Sequence, residues 1–138
     1  MTEESCIFCR IAQKKAPASI VYEDDAVMAF LDIRPLNEGH TLVIPKRHYA
    51  FVYEVPDEEV AHLYKLVKKV ALAVKKGVKA GGITIAQQNE KAAGQDIFHV
   101  HVHVIPRYEG QKLPRFEEVQ EVSRARLDEV AKKLKQHI

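Results

Sequence analysis

His99-Val100-His101-Val102-His103-Val104-Ile105-Pro106 lies in a run from Ile97 to Pro106 where imidazole and aliphatic side chains alternate one by one. A period of two belongs to a β-strand, whose successive side chains point to opposite faces of its sheet. Read as a strand, the run puts His99, His101 and His103 on one face. Phe98, Val100, Val102 and Val104 share the other, which is expected to pack in the core. A solvated face that happens to repeat histidine is the plain alternative, but three of the seven histidines in the chain alternate here. A row of imidazoles suits either a nucleophile with its partners or the ligation of a catalytic zinc.

Working outward, Gly82 to Gln88 reads as the preceding strand, and Asn89 to Asp96 as a polar loop around Gly94. Ser19 to Tyr22 and Ala26 to Asp32 are strand-like runs separated by Glu23-Asp24-Asp25, the composition of a hairpin turn. The loop Pro35-Leu36-Asn37-Glu38-Gly39 precedes a β-branched strand, Thr41-Leu42-Val43-Ile44, closed by Pro45. Ile7, Phe8, Ile11 and Ala12 are spaced as a short helix that ends before Pro17. Asp57 is positioned to cap a long helix burying Val60, Leu63, Val67, Val70, Ala71 and Val74, with Gly77 after it. From Phe116 onward, Val119, Val122, Leu127, Val130 and Leu134 predict a tail helix. The fold class expected is α+β: a mostly antiparallel five-stranded sheet with one long helix, a short N-terminal helix and a C-terminal helix, the helices on one side.

At 138 residues the chain is read as a single domain over 1–138, with a core over about 5–108 and a tail helix over about 115–138. A 46% hydrophobic and 29% charged composition suits a globular protein. Lys and Arg total 21 against 19 Asp and Glu, a net +2, too little for the basic stripe of a polynucleotide binder. No apolar run approaches the roughly 20 residues of a membrane span, and the opening Met1-Thr2-Glu3-Glu4-Ser5 is acidic, so no leader or membrane partner is expected and the cytoplasm is. Cys6 and Cys9 form a Cys-x-x-Cys pair. A redox pair would follow a strand, and none fits before position 6; a zinc site would need two further ligands, for which histidines are candidates; two simply buried thiols remain a third reading.

His99-Val100-His101-Val102-His103-Val104-Ile105 resembles the signature of the histidine-triad family, in which three histidines alternate with apolar residues. Cys6-Ile7-Phe8-Cys9, Ala29-Phe30-Leu31-Asp32-Ile33, Gly39-His40-Thr41-Leu42-Val43-Ile44-Pro45-Lys46-Arg47-His48 and Ala93-Gly94-Gln95 follow the same pattern in the same order. The tail after Gly110 lies outside it.

The resemblance implies a nucleotide hydrolase or transferase acting at an α-phosphate of a dinucleoside polyphosphate or nucleoside phosphoramidate. His101 is then the nucleophile that forms a covalent nucleotidyl-histidine, His103 contacts the phosphate or leaving group, His99 completes the triad, and His40 supports it from behind. Asp32 matches the carboxylate that accepts from ribose hydroxyls, and Ile7, Phe8, Phe30 and Ile33 the apolar walls around base and sugar. Gln95 and the backbone around it match the phosphate donors. Gln88 stands where a glutamine accompanies diadenosine-polyphosphate cleavage, and Asp96 departs from a common serine or threonine, which leaves the leaving group open. The resemblance also implies a structural zinc on Cys6, Cys9, His48 and His99, and a homodimer to which the Val60–Val74 helix contributes. The competing functions are a regulatory or scaffold protein that binds nucleotide with little turnover, and a hydrolase whose catalytic metal sits on the histidines and whose activity a chelator abolishes at once.

Overall fold

Asp24 turns the first hairpin. Its Oδ1 accepts from the backbone N–H of Ala26 and of Val27, both at 2.8 Å, so the side chain stands in for a turn carbonyl. The hairpin joins β1 (Ile20–Glu23) to β2 (Val27–Leu31), and β3 (Thr41–Pro45), β4 (Gly82–Gln87) and β5 (Val102–Arg107) complete the sheet. Its order is β1-β2-β3-β5-β4, and every neighbouring pair is antiparallel. Three helices accompany it: α1 (Ile7–Ala12), α2 (Asp57–Gly77) and α3 (Arg124–Lys135). The computed structural model describes residues 3–138, so Met1 and Thr2 of the acidic opening stretch lie outside the described residues. The α+β class and the five-stranded antiparallel sheet are those expected.

The two faces of the sheet are covered differently. On one, Val27, Ala29, Leu31, Val43, Val102 and Val104 meet Leu63, Val67, Val70 and Val74 of α2 and Leu127, Val130 and Leu134 of α3. Each fully buried aliphatic side chain of this kind contributes about 1.5–3 kcal/mol, so this larger core carries most of the stability. On the other face Met28, Phe30, Leu42 and Ile44 lie under Phe8, Cys6, Cys9 and Ile11. The helices are therefore not all on one side: α1 lies opposite α2 and α3, and its six residues cover only part of its face.

Several boundaries differ from expectation for local reasons. Asp57 is the first residue of α2, not its cap; the cap is Pro56, and Asp57, Glu58 and Glu59 place negative charge in the first turn, where the helix dipole favours it. Val60 and Ala71 are only partly buried, and Leu66 and Ala73 take buried places instead. Gly77 closes α2 rather than following it: a Cβ there would meet Leu134 Cδ2 at 2.5 Å, so its bareness lets α3 approach. The tail is helical only from Arg124, because Ser123 caps it by accepting from Arg126 N–H at 3.2 Å. Residues 109–123 instead form a mostly irregular strap tied to the loop after β2, with one tight turn at Phe116–Glu118, Gln111 hydrogen-bonded to Asn37, and a hydrogen bond from Val122 N–H to Ile33 O at 2.9 Å.

Candidate functional site

The ladder of β5 begins at Val102, so His99 and His101 precede the strand and only His103 lies in it. Pro45, at the end of β3, has no N–H to extend the pairing, and its carbonyl is taken by His99 Nε2 at 2.8 Å. Val100 N–H is likewise diverted to Tyr49 O. The alternation still separates the faces: Val100, Val102 and Val104 enter the larger core while the three imidazoles face the other way. Phe98 does not join that core; it is half-buried and packs edge-on against Phe51.

The hydrogen bonds fix each ring. His101 Nδ1–H donates to the carbonyl of His99 at 2.8 Å, which leaves Nε2 with its lone pair. Leu36 N–H donates to His40 Nδ1 at 3.1 Å, so the proton of neutral His40 is on Nε2, 3.0 Å from His103 Nδ1. His103 is thereby left with its own proton on Nε2, a donor. Burial, the largest cause in every case, holds these rings neutral: it lowers His40 to about 3 and His103 to about 4, and moves His101 below its ordinary value. The 3.7 Å approach of His40 Nε2 to Asp32 Oδ2 is accordingly not an ion pair. Burial raises Asp32 itself to about 6, against the bond its Oδ1 accepts from Arg34 N–H at 2.9 Å.

His101 and His103 line a pocket of about 280 Å³ whose walls also include Ile7, Phe8, Phe30, Ile33, Asp32 and Asp96. Phe8 meets the His101 ring edge-on, centroids 5.1 Å apart. Asp96 Oδ1 lies 3.6 Å from His101 Nε2. Ile7, Ile33 and Phe116 remain 41%, 43% and 44% exposed at this one cavity. Apolar exposure concentrated around a concave site, unlike scattered surface residues, marks a place where something binds.

His99 belongs to a second cluster behind the pocket. Its Nδ1 faces Cys6 Sγ at 3.4 Å and Cys9 Sγ at 3.5 Å, and Cys9 Sγ lies 3.2 Å from His48 Nδ1. The four donor atoms of Cys6, Cys9, His48 and His99 fall within 4.8 Å of one another. Burial foremost, then the hydrogen bond with Cys6, pushes the Cys9 thiol up to about 12, the opposite of an activated redox cysteine.

A sequence profile of the HIT domain matches residues 13–110. The chain belongs to the HIT, or histidine-triad, family. A HIT-like protein of Methanocaldococcus jannaschii, described as uncharacterised, is 49% identical over 131 residues, covering 94% of this chain and 98% of its own. An adenylylsulfatase of Arabidopsis thaliana is 39% identical over 107 residues, 78% of this chain and 54% of its own. The crystal structure of a zinc-bound histidine-triad protein from Mycobacterium smegmatis superposes with a TM-score of 0.86 at 39% identity, covering 99% of this chain and 94% of that one.

Of the residues expected to contact nucleotide in this HIT sequence, Gln88 and Gln95 do not reach the pocket; of the histidines expected to act in catalysis, His40 and His99 stand behind it. Gln95 is buried and fully engaged: its Oε1 accepts from Glu90 N–H at 2.6 Å, and its Nε2 donates to Ala50 O and Ile97 O. It shapes the loop and has no side-chain donor to spare for a phosphate. Gln88 lies against Gly94, where a Cβ would meet its Nε2 at 2.9 Å, and is not among the pocket's lining residues. Conversely, Phe116 and Arg124 of the tail line the pocket. No motif spacing announces them, since Phe116 sits in an isolated tight turn and Arg124 opens a helix whose start is set by the Ser123 cap.

Proposed function

We propose that this HIT-family chain binds a nucleotide in the pocket and cleaves it at the α-phosphorus through His101. The observation that carries this reading is the bond from His101 Nδ1–H to the His99 carbonyl, which leaves a neutral imidazole with its Nε2 lone pair at the pocket. Nε2 attacks the phosphorus, a P–N bond forms, and the bond to the leaving group breaks with its electron pair. This expels a nucleotide from a dinucleoside polyphosphate, sulfate from adenylyl sulfate or, from a phosphoramidate, an amine that takes a proton from His103 Nε2–H or solvent. His103 Nε2–H donates to the phosphate oxygens as charge builds. Water then attacks the same phosphorus, releases a nucleoside monophosphate, gives its proton to solvent and frees His101. The histidine-triad relationship and the adenylylsulfatase among its relatives support a hydrolase. Chromatography of nucleoside monophosphate released from diadenosine polyphosphate, adenosine phosphoramidate and adenylyl sulfate tests it. Release from at least one is expected; binding without release from any would favour a nucleotide-binding regulator.

Asp32 supplies a pH signature for this site. Its ionised carboxylate accepts from the ribose hydroxyls, so nucleotide affinity should fall as pH drops through about 6 and the group takes up its proton. Its folded value lies above the ordinary 3.8, so between about 4 and 6 the folded form holds the extra proton and stability declines as pH rises. Asp32→Asn should therefore raise the melting temperature at pH 7 by a few degrees while weakening nucleotide binding. A lower melting temperature with unchanged binding would contradict this account of Asp32.

Cys6, Cys9, His48 and His99 suit a zinc ion as a closed Cys₂His₂ set. His99 Nε2–H is held by Pro45 O, which orients Nδ1 toward the thiols, as an outer-shell partner does for a ligating histidine. Zinc here would supply a structural tie between α1, the segment after β3 and the triad. The chain is one domain in this reading, since among the described residues α3 shares the core of α2. Among the described residues no helix is long and apolar enough to cross a membrane. We place the protein in the cytoplasm as a homodimer with small nucleotides as its partners. β4 is an edge strand, and Ile85 on it, with Tyr64 and Leu72 on α2, exposes apolar surface. Light scattering should give twice the 15.7 kDa chain mass, and Ile85→Lys should shift it toward the monomer; a monomeric wild type would refute the dimer.

A further inference from the structure

The register of the sheet places a ruler along the pocket. Ile20 pairs with Phe30, Phe30 with Leu42, and Leu42 with His103, so these four form one cross-strand row on the pocket's face. Three inter-strand steps of about 4.8 Å put the β1 end about 14 Å from His103. A nucleotide with its phosphate at His101 and His103 and its sugar near Asp32 therefore extends its base over Phe30 toward β1. The polar pocket residues Asp32, Arg34, Asp96, His101 and His103 all belong to β5, to the loop just before it or to the loop after β2. Toward β1 the lining residues Ile11 and Ala18 pack with Ile20, and Arg124, also on the lining, is bonded to Ser19 just before that strand.

Arg124 is held in place. Its Nη1 donates to Ser19 Oγ at 2.8 Å, and Ser19, only 2% exposed, donates in turn to Asp128 Oδ1 at 2.6 Å. The Ser19 hydroxyl is then used as both donor and acceptor, and one nitrogen of a five-donor fork is anchored while Nε and Nη2 remain for a ligand. Phe116, on the strap, adds an aromatic face to the same cavity.

We propose that the C-terminal segment is the base-reading end of this site: Phe116 covers the base and Arg124 donates to its edge, so guanine nucleotides are preferred over adenine nucleotides. Guanine carries two adjacent acceptors, O6 and N7, which match a guanidinium fork; adenine offers N7 beside an amino group that opposes a donor. The inference rests on the nucleotide reading above and assigns it a base.

Calorimetric titration with GMP and with AMP separates the two claims. The wild type should bind GMP about tenfold more tightly, within the range of one bidentate arginine–guanine pair. Arg124→Met should bring the ratio close to one. Arg124→Lys, which keeps the charge but loses the fork, should also lose most of the preference. Phe116→Ala should weaken both nucleotides while keeping the ratio. Equal binding of GMP and AMP by the wild type, a measurement that needs no variant to fold, would overturn the base assignment and leave the nucleotide site standing. So would a ratio that survives in an Arg124→Met protein with a cooperative melting transition. If neither nucleotide binds, the nucleotide reading falls and the base assignment with it.

Discussion

His101→Ala should yield a folded protein that releases nucleoside monophosphate at least about 10³-fold more slowly than the wild type, on whichever substrate the wild type turns over best. The ring is nearly buried but lines the cavity, and its loss removes the attacking nitrogen without touching the larger core on the other face of the sheet. Melting temperature and nucleotide affinity should change little by comparison, which separates lost chemistry from lost structure. His103→Ala should fall less far, since it removes one donor to the developing charge and leaves the nucleophile in place. Equal turnover by wild type and His101→Ala would end the proposed mechanism.

The second large effect concerns the cysteine cluster. Metal-replete protein should contain about one zinc per chain, and Cys9→Ser should lose it and melt about 10 °C or more lower. Cys9 is buried in α1, Cys6 caps that helix by accepting from Cys9 N–H, and both face His99, 93 residues from Cys6. Removing one ligand therefore loosens the helix that supplies Phe8 to the pocket wall, and with it the orientation of the strand entry holding His101. A chelator should inactivate slowly, at the pace of local opening, whereas prompt inactivation would point to metal on the catalytic histidines. A zinc content near zero, with Cys9→Ser as stable as the wild type, would reduce the pair to two buried thiols.

What the sequence made legible follows from how each signal is encoded. The Val100–Val102–Val104 alternation and the three-and-four spacing of Leu63, Val67, Val70 and Val74 report burial directly, and those residues are in the core. The side on which α1 packs has no such local signature; it depends on Phe8 meeting Phe30 and His101 across the sheet. The tail misled because Val119 and Val122 continue the phase of Leu127 and Val130, while the Ser123 cap sets the helix start later. Within the site, the histidine positions were readable because alternation assigns them a face. The fate of Gln95 was not, since its partners, the backbone groups of Glu90, Ala50 and Ile97, converge only in the folded loop. Arg124 was invisible for the same reason: its meaning comes from Ser19, 105 positions away.

The most direct test of the central claim is intact-mass and peptide mass spectrometry of enzyme caught during turnover and quenched in alkali, where a phosphorus–nitrogen bond survives. The account predicts a nucleoside monophosphate adduct on one peptide, mapped to His101 and missing from His101→Ala. Turnover without an adduct, or an adduct on another residue, would contradict it.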